Sequence, residues 1–277
     1  MKTPPVLEEL SEASLEASMQ RRAEIPPTVL IERTERWRDR DGCFGRALAA
    51  EGMSVIAEYK QASPSEGSIR DATPETIAEL YAPAAAISVL TEKSRFGGSL
   101  ENLAALRELT DLPLLRKDFI THPYQLLEAK AAGADAALLI ASKLDTPELQ
   151  LLREYAEAFG LDALVEVHDR EDLDRAVRAS AKIIGINNRD LRAKGLPTNT
   201  VVTGRLLDAV PQDVIVVTES GFGLDPDSRQ QLRKYNARGV DAVLIGTELM
   251  RSHDPTAAIE LLKKLGCSRS TAGNRFH

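Results

Sequence analysis

The chain reads as an α/β protein, an eight-stranded (β/α)8 TIM barrel preceded by an N-terminal helical extension. Three observations predict this. From residue 54 onward a short apolar run, a polar tip and an amphipathic helical stretch recur in that order. The run starts are separated by roughly 20–30 residues, the size of one βα unit. The runs are too short for core helices and rich in Val, Ile and Leu, as strands buried on both faces require.

The runs in chain order are SVIAEYK (54–60), AISVLTEK (86–93), PLLRKD (113–118) and AALLIAS (136–142), followed by ALVEVHD (163–169), KIIGINNRD (182–190), VIVVTESG (214–221) and AVLIGTE (242–248). Between them, PYQLLEAKAAG (123–133) opens on a proline suited to a first helical turn and ends at Gly133, a C-cap residue. SRQQLRKYNARG (228–239) ends on Gly239 in the same way. AAGADAALLIA (131–141) is echoed by ARGVDAVLIG (237–246), which points to repeated modules. Eight strands alternating with helices favour the closed barrel. A doubly wound open sheet is the alternative, but no G-x-G-x-x-G follows the first run.

Three regions are expected: residues 1–50 as a helical extension packed on the barrel, 51–265 as the catalytic barrel, and 266–277 as a polar, frayed tail. Within the extension, 6–25 reads as a polar amphipathic helix and 26–40 as a second segment, placed against the barrel and over its mouth.

Composition narrows the function classes. Hydrophobic residues make up 43% of the chain and charged residues 28%, which is globular rather than disordered. The net charge of −7 argues against a broad nucleic-acid surface, though local lysines can still hold a small anion. Cys43 and Cys267 lie far apart, and the four histidines have no metal-ligand spacing, so neither a disulfide framework nor a metal centre is expected. Glutamates occupy the N-terminal stretch where a signal peptide needs an apolar run. No segment approaches the ~18–20 apolar residues of a membrane span. A cytoplasmic protein without a membrane partner is the expectation.

Barrel active sites form at the C-terminal ends of the strands. The polar tips there are Glu58 and Lys60, Lys117, Glu166, Asn187 and Arg189, Glu219 and Ser220, and finally Gly246 and Thr247. Glu58/Lys60 and Asn187/Arg189 are i, i+2 pairs that share a strand face. Any one such tip is ordinarily a solvated strand end, Glu58–Lys60 an exposed ion pair of little worth, and Asn187 a turn former. Two lysines and three glutamates converging on one mouth outweigh that reading. Neighbouring carboxylates keep a lysine protonated, so it can act as an acid, while a buried glutamate can shuttle protons. TESGFG (218–223) and LIGTELM (244–250) follow strands seven and eight, where barrels often hold a phosphate on backbone N–H groups. Gly221, Gly223 and Gly246 permit close approach there, and Ser220 and Thr247 add hydroxyls. His122 reads as a helix-start residue and His168 as structural.

These stretches, taken with IAEYKQASPSEG (56–67), ISVLTEKSRFGGSLENL (87–103), LLRKDFITHPYQ (114–125), LVEVHD (164–169) and IGINNRDL (184–191), closely resemble indole-3-glycerol phosphate synthase from about residue 54 to 265. The resemblance implies a carboxy-lyase of tryptophan biosynthesis without cofactor or metal. Its substrate is the phosphorylated small molecule 1-(2-carboxyphenylamino)-1-deoxyribulose 5-phosphate, converted to indole-3-glycerol phosphate. Carried onto this sequence, Lys117 matches the general acid on the substrate ketone and Glu166 the acid/base of the dehydration. Lys60 matches the lysine that pairs with the substrate's anionic groups, and Glu58 and Asn187 match residues that orient these groups and bind substrate. Glu219, Ser220, Gly221, Leu244, Gly246 and Thr247 match the phosphate region, and Arg189 a supporting residue at the mouth. SPSEG (63–67) matches a loop that closes over substrate. The implied assembly is a monomer or weak homo-oligomer, open to association with other enzymes of that pathway. One stretch departs: 192–207 lacks the aspartate of the Val-Asp-Leu that the family usually carries after INNRDL. Two further readings predict different residues. An anthranilate isomerase would use an aspartate/cysteine pair, and a silent scaffold barrel would lose one of Lys60, Lys117 or Glu166.

Overall fold

Each of the eight apolar runs forms a strand in the structure, a computed structural model that describes residues 6–63, 67–68, 72–193 and 195–266. They are β1 (Ser54–Tyr59), β2 (Ala86–Leu90), β3 (Leu114–Lys117), β4 (Ala136–Ile140), β5 (Asp162–Val167), β6 (Ile183–Asn187), β7 (Ile215–Glu219) and β8 (Ala242–Ile245). All neighbours pair in parallel, and β8 pairs with β1, closing the barrel. The expected runs overshoot the strands at their C-terminal ends because the polar tips have already left the ladder.

The extension folds as α1 (Val6–Glu24), α2 (Pro27–Thr34), a 3-10 segment over Glu35–Arg40, and α3 (Cys43–Leu48). The barrel helices are α4 (Pro74–Leu80), α5 (Leu100–Leu109), α6 (Pro123–Ala131), α7 (Thr146–Ala158), α8 (Arg170–Arg178), α9 (Val201–Leu206) and α10 (Pro226–Ala237). After β8 come a short α11 (Thr247–Arg251) and α12 (Pro255–Lys263). Their starts are written locally. Thr73, Asp145, Asp225 and Asp254 each accept a backbone N–H as N-caps just before a proline-containing first turn. His122 does the same for α6 within a capping box completed by Gln125. Gly133 and Gly239 follow α6 and α10 with φ of 87° and 122°, a left-handed conformation that glycine adopts without a Cβ penalty.

Strand alternation splits the core into two layers. Inward-facing Ile56, Leu115, Leu138, Leu164, Ile183, Ile215, Val217 and Leu244 fill the barrel, while Val55, Val89, Leu114, Leu139, Val165, Ile184 and Val243 face the helices. The extension reaches both ends of this barrel. Phe44 and Leu48 of α3 join the interior layer, and the Gly45 N–H donates to Asp162 Oδ2 at 2.9 Å, so α3 closes the N-terminal end. Leu7 and Leu10 of α1 pack with Phe119, Leu138 and Ile140 at the C-terminal rim. α1 therefore flanks the mouth near β3 and β4. The closing loop expected over 63–67 falls in part on 64–66, and the tail on 267–277, both outside the described residues. Among the described residues no helix is long and apolar enough to cross a membrane.

Candidate active site

The inward register that fills the barrel with Ile56, Leu115, Leu164 and Val217 brings Glu58, Lys117, Glu166 and Glu219 to its C-terminal end two residues later. There they line a cavity of about 460 Å³ together with Lys60, Asn187, Arg189, Ser220, Gly221, Leu244, Gly246 and Thr247. The twelve residues picked out in the sequence thus share one space.

Lys117 sits at the centre. Its Nζ lies 2.6 Å from Glu219 Oε2 and 3.5 Å from Glu166 Oε2, on side chains that are 1% and 5% exposed. Burial works against the ammonium, but the carboxylates of Glu219, Glu166 and Glu58 more than offset it and raise its pKa above the usual lysine value. Lys117 is therefore a cation at every physiological pH. Glu219 pays the electrostatic cost of this arrangement: burial, helped by Glu166 and Glu58 and opposed by Lys117, pushes its carboxyl up to about 7. A second pair stands beside the first, with Lys60 Nζ 2.6 Å from Glu58 Oε1. Burial would raise the Glu58 pKa, yet Lys60 and Lys117 hold it below the ordinary carboxylate value.

Two glycines make room for these acids. A Cβ on Gly185 would meet Glu219 Oε1 at 2.2 Å, and one on Gly246 would meet Glu58 Oε1 at 2.3 Å. Asn187 combines two roles, lining the cavity while its Oδ1 accepts the Arg189 N–H at 2.9 Å. His168 Nδ1 lies 2.8 Å from the Asn187 carbonyl and so braces the end of β6. After β7 the backbone turns through two consecutive left-handed residues, Ser220 (φ 64°) and Gly221 (φ 83°). A Cβ on Gly221 would meet the Thr198 and Thr200 methyls at 2.6 and 2.9 Å, so glycine is required twice over.

Sequence reasoning missed the apolar wall. Phe96, Phe119, Leu138, Ile140 and Leu191 also line the cavity, Ile140 paired with Glu166 across the sheet and the Phe96 and Phe119 rings 6.2 Å apart. The signal was present in part, since Phe119 is i+2 from Lys117 and Leu138 and Ile140 share a face of β4. Asn188 was also missed. Fully buried, its amide donates to the Glu219 and Ser220 carbonyls at 2.9 and 3.1 Å and latches β6 to the end of β7.

A family model described as indole-3-glycerol phosphate synthase matches residues 8–262. The chain belongs to the indole-3-glycerol phosphate synthase family. A relative of that name from Salinibacter ruber is 43% identical, covering 94% of this chain and 96% of its own. Another from Mycolicibacterium smegmatis is 46% identical over 79% of this chain and 80% of its own. Among solved structures, 3-hexulose-6-phosphate synthase from Salmonella typhimurium superimposes with a TM-score of 0.60 at 15% identity, over 77% of this chain and 98% of its own. That likeness speaks to the barrel alone. Ahead of α9, the Asn199 N–H donates to the Asn188 carbonyl at 2.8 Å, and Asn199 Oδ1 accepts the Val201 N–H at the start of the helix.

Proposed function

We propose that this chain is a working indole-3-glycerol phosphate synthase, closing the ring of 1-(2-carboxyphenylamino)-1-deoxyribulose 5-phosphate with loss of CO₂ and water. The observation that carries this reading is Lys117, an ammonium held by Glu219 and Glu166 in a cavity lined by both charged and apolar side chains.

Ring closure needs an acid on the ketone, because an unprotonated carbonyl is a poor electrophile for an aromatic carbon. Lys117 supplies that proton, and the ring carbon bonds to the activated carbon. Carbon dioxide then leaves from the ring position and its electron pair restores the ring. In the dehydration Glu166 delivers a proton to the departing hydroxyl, which leaves as water, and a base takes the remaining proton. The sum is redox-neutral, so no electron acceptor is required. Lys60, steered by Glu58, pairs with the substrate's anionic groups, and Asn187 orients them. The turn at Ser220 and Gly221, with Leu244, Gly246, Thr247 and the neighbouring Arg189, receives the phosphate. The apolar wall around Phe96 and Phe119 takes the aromatic ring. A reducing cytoplasm suits the widely separated cysteines.

The test is turnover of the carboxyphenylamino substrate by purified protein, followed by indole fluorescence. In Lys117→Ala the rate falls by ~10²–10⁴-fold, the range for a positioned acid, while substrate still binds. Unchanged turnover in that variant would sink the acid role.

A further inference from the structure

Lys117 is flanked in sequence by Arg116 and Asp118, and strand alternation turns Lys117 to the inner face and its two neighbours, bonded to each other, to the outer one. The β3 ladder with β4 ends at Arg116, paired with Ala137. Beyond that point side chains hold the chain on this edge. Asp118, 4% exposed, accepts from Ser14 Oγ at 2.7 Å and from the Phe119 N–H at 2.8 Å on one oxygen. Its other oxygen accepts from Arg116 Nη2 at 3.0 Å and from the Thr91 hydroxyl. Arg116, 1% exposed, continues outward to the Gln125 carbonyl and to Glu128 of α6.

α1 closes this network from outside. Ser14 accepts from Gln125 Nε2 at 2.9 Å, and Ser18 donates to Glu128 Oε2 at 2.9 Å. Leu7, Leu10, Ser11, Ser14 and Ser18 share the buried face of the helix. Serine is an indifferent interior helix residue, so two of them aimed at buried carboxylates at that spacing point to a purpose beyond helix formation.

We propose that Ser14 of α1, acting through Asp118 and Arg116, is a positioning residue for Lys117. It fixes the backbone from which the Lys117 side chain reaches Glu219 and Glu166. The inference rests on the acid role given to Lys117 above. Lysine has a flexible four-carbon stem, so its Nζ is only as well placed as its Cα and its carboxylate partners make it. A small misplacement of a reacting group is costly.

The test compares Ser14→Ala with Ser14→Thr, which keeps the hydroxyl. In Ser14→Ala kcat falls about tenfold with KM little changed, a loss confined to the transition state. Ser14→Thr restores it. A substrate-free readout runs alongside: the Lys117 ammonium cross-peak in a lysine-selective ¹H–¹⁵N spectrum shifts or broadens in Ser14→Ala and returns in Ser14→Thr. Wild-type kcat in Ser14→Ala, equal losses in both variants, or an unmoved cross-peak overturns the inference. Should the wild-type protein fail to convert substrate, the functional reading falls, and the cross-peak comparison still decides whether Ser14 positions Lys117.

Discussion

Glu219 Oε2 and Lys117 Nζ lie 2.6 Å apart although 102 residues separate them in the chain. Only closure of the barrel brings the end of β3 to the end of β7, so the pair exists in the folded state alone. It sets two opposing demands on Glu219. Burial favours the neutral acid, and Lys117 favours the carboxylate.

Titration of Glu219 by carboxyl ¹³C NMR will therefore show a midpoint near 7 rather than its ordinary 4.5. In Lys117→Met the midpoint moves higher, since the group that held it down is gone. The sign for stability follows. The folded pKa is raised, so this group's contribution is fully present below about pH 4.5 and is lost as pH rises through about 7. A wild-type midpoint in the ordinary carboxylate range would sink this account of the pair.

Gly185→Ala tests the same carboxylate from the β6 side. The new methyl would stand 2.2 Å from Glu219 Oε1 and 3.3 Å from Leu164 Cδ1. A buried carboxylate oxygen is not free to yield, because its other oxygen is held by Lys117. The variant should lose ~1–3 kcal/mol of stability from overpacking and at least tenfold in kcat from the displaced pair. Denaturation and fluorescence assays read the two effects separately. Wild-type values for both would show that the Glu219 position is not fixed by this contact.

The repeat read from AAGADAALLIA and ARGVDAVLIG has a physical counterpart. In both, the aspartate precedes a strand and folds back on the previous one: Asp135 Oδ2 accepts the Leu114 N–H at 2.9 Å, and Asp241 Oδ2 accepts the Val216 N–H at 2.8 Å. Strands, helix starts and charged strand tips were legible because each is written within about ten residues. The apolar wall was not, because Phe96, Leu138 and Leu191 come from separate loops and strands and look like ordinary core residues. Asn188 was masked by a stretch that reads equally well as a turn. Gly185 was silent because its role is the space it leaves for a side chain 34 residues on.

Asp135 also carries the extension, and this gives a stability prediction distinct from activity. Its carboxylate, 1% exposed, binds Arg40 Nε at 2.7 Å and Arg107 Nη1 at 3.0 Å. Arg107 is itself only 2% exposed, and burial lowers its pKa despite Asp135, the mark of a cation that depends on its partner. Asp135→Ala would strand that guanidinium, unpin Arg40 in the segment leading to α3, and free the Leu114 N–H. The expected cost is ~3–5 kcal/mol, the range for removing one partner of a buried pair. Lys263→Ala breaks an exposed pair with Glu260, 42% and 45% exposed, and should cost ~1 kcal/mol or less. Urea denaturation of the two variants measures the contrast. If Asp135→Ala melts with the surface variant, the Asp135 cluster does not tie the extension to the barrel.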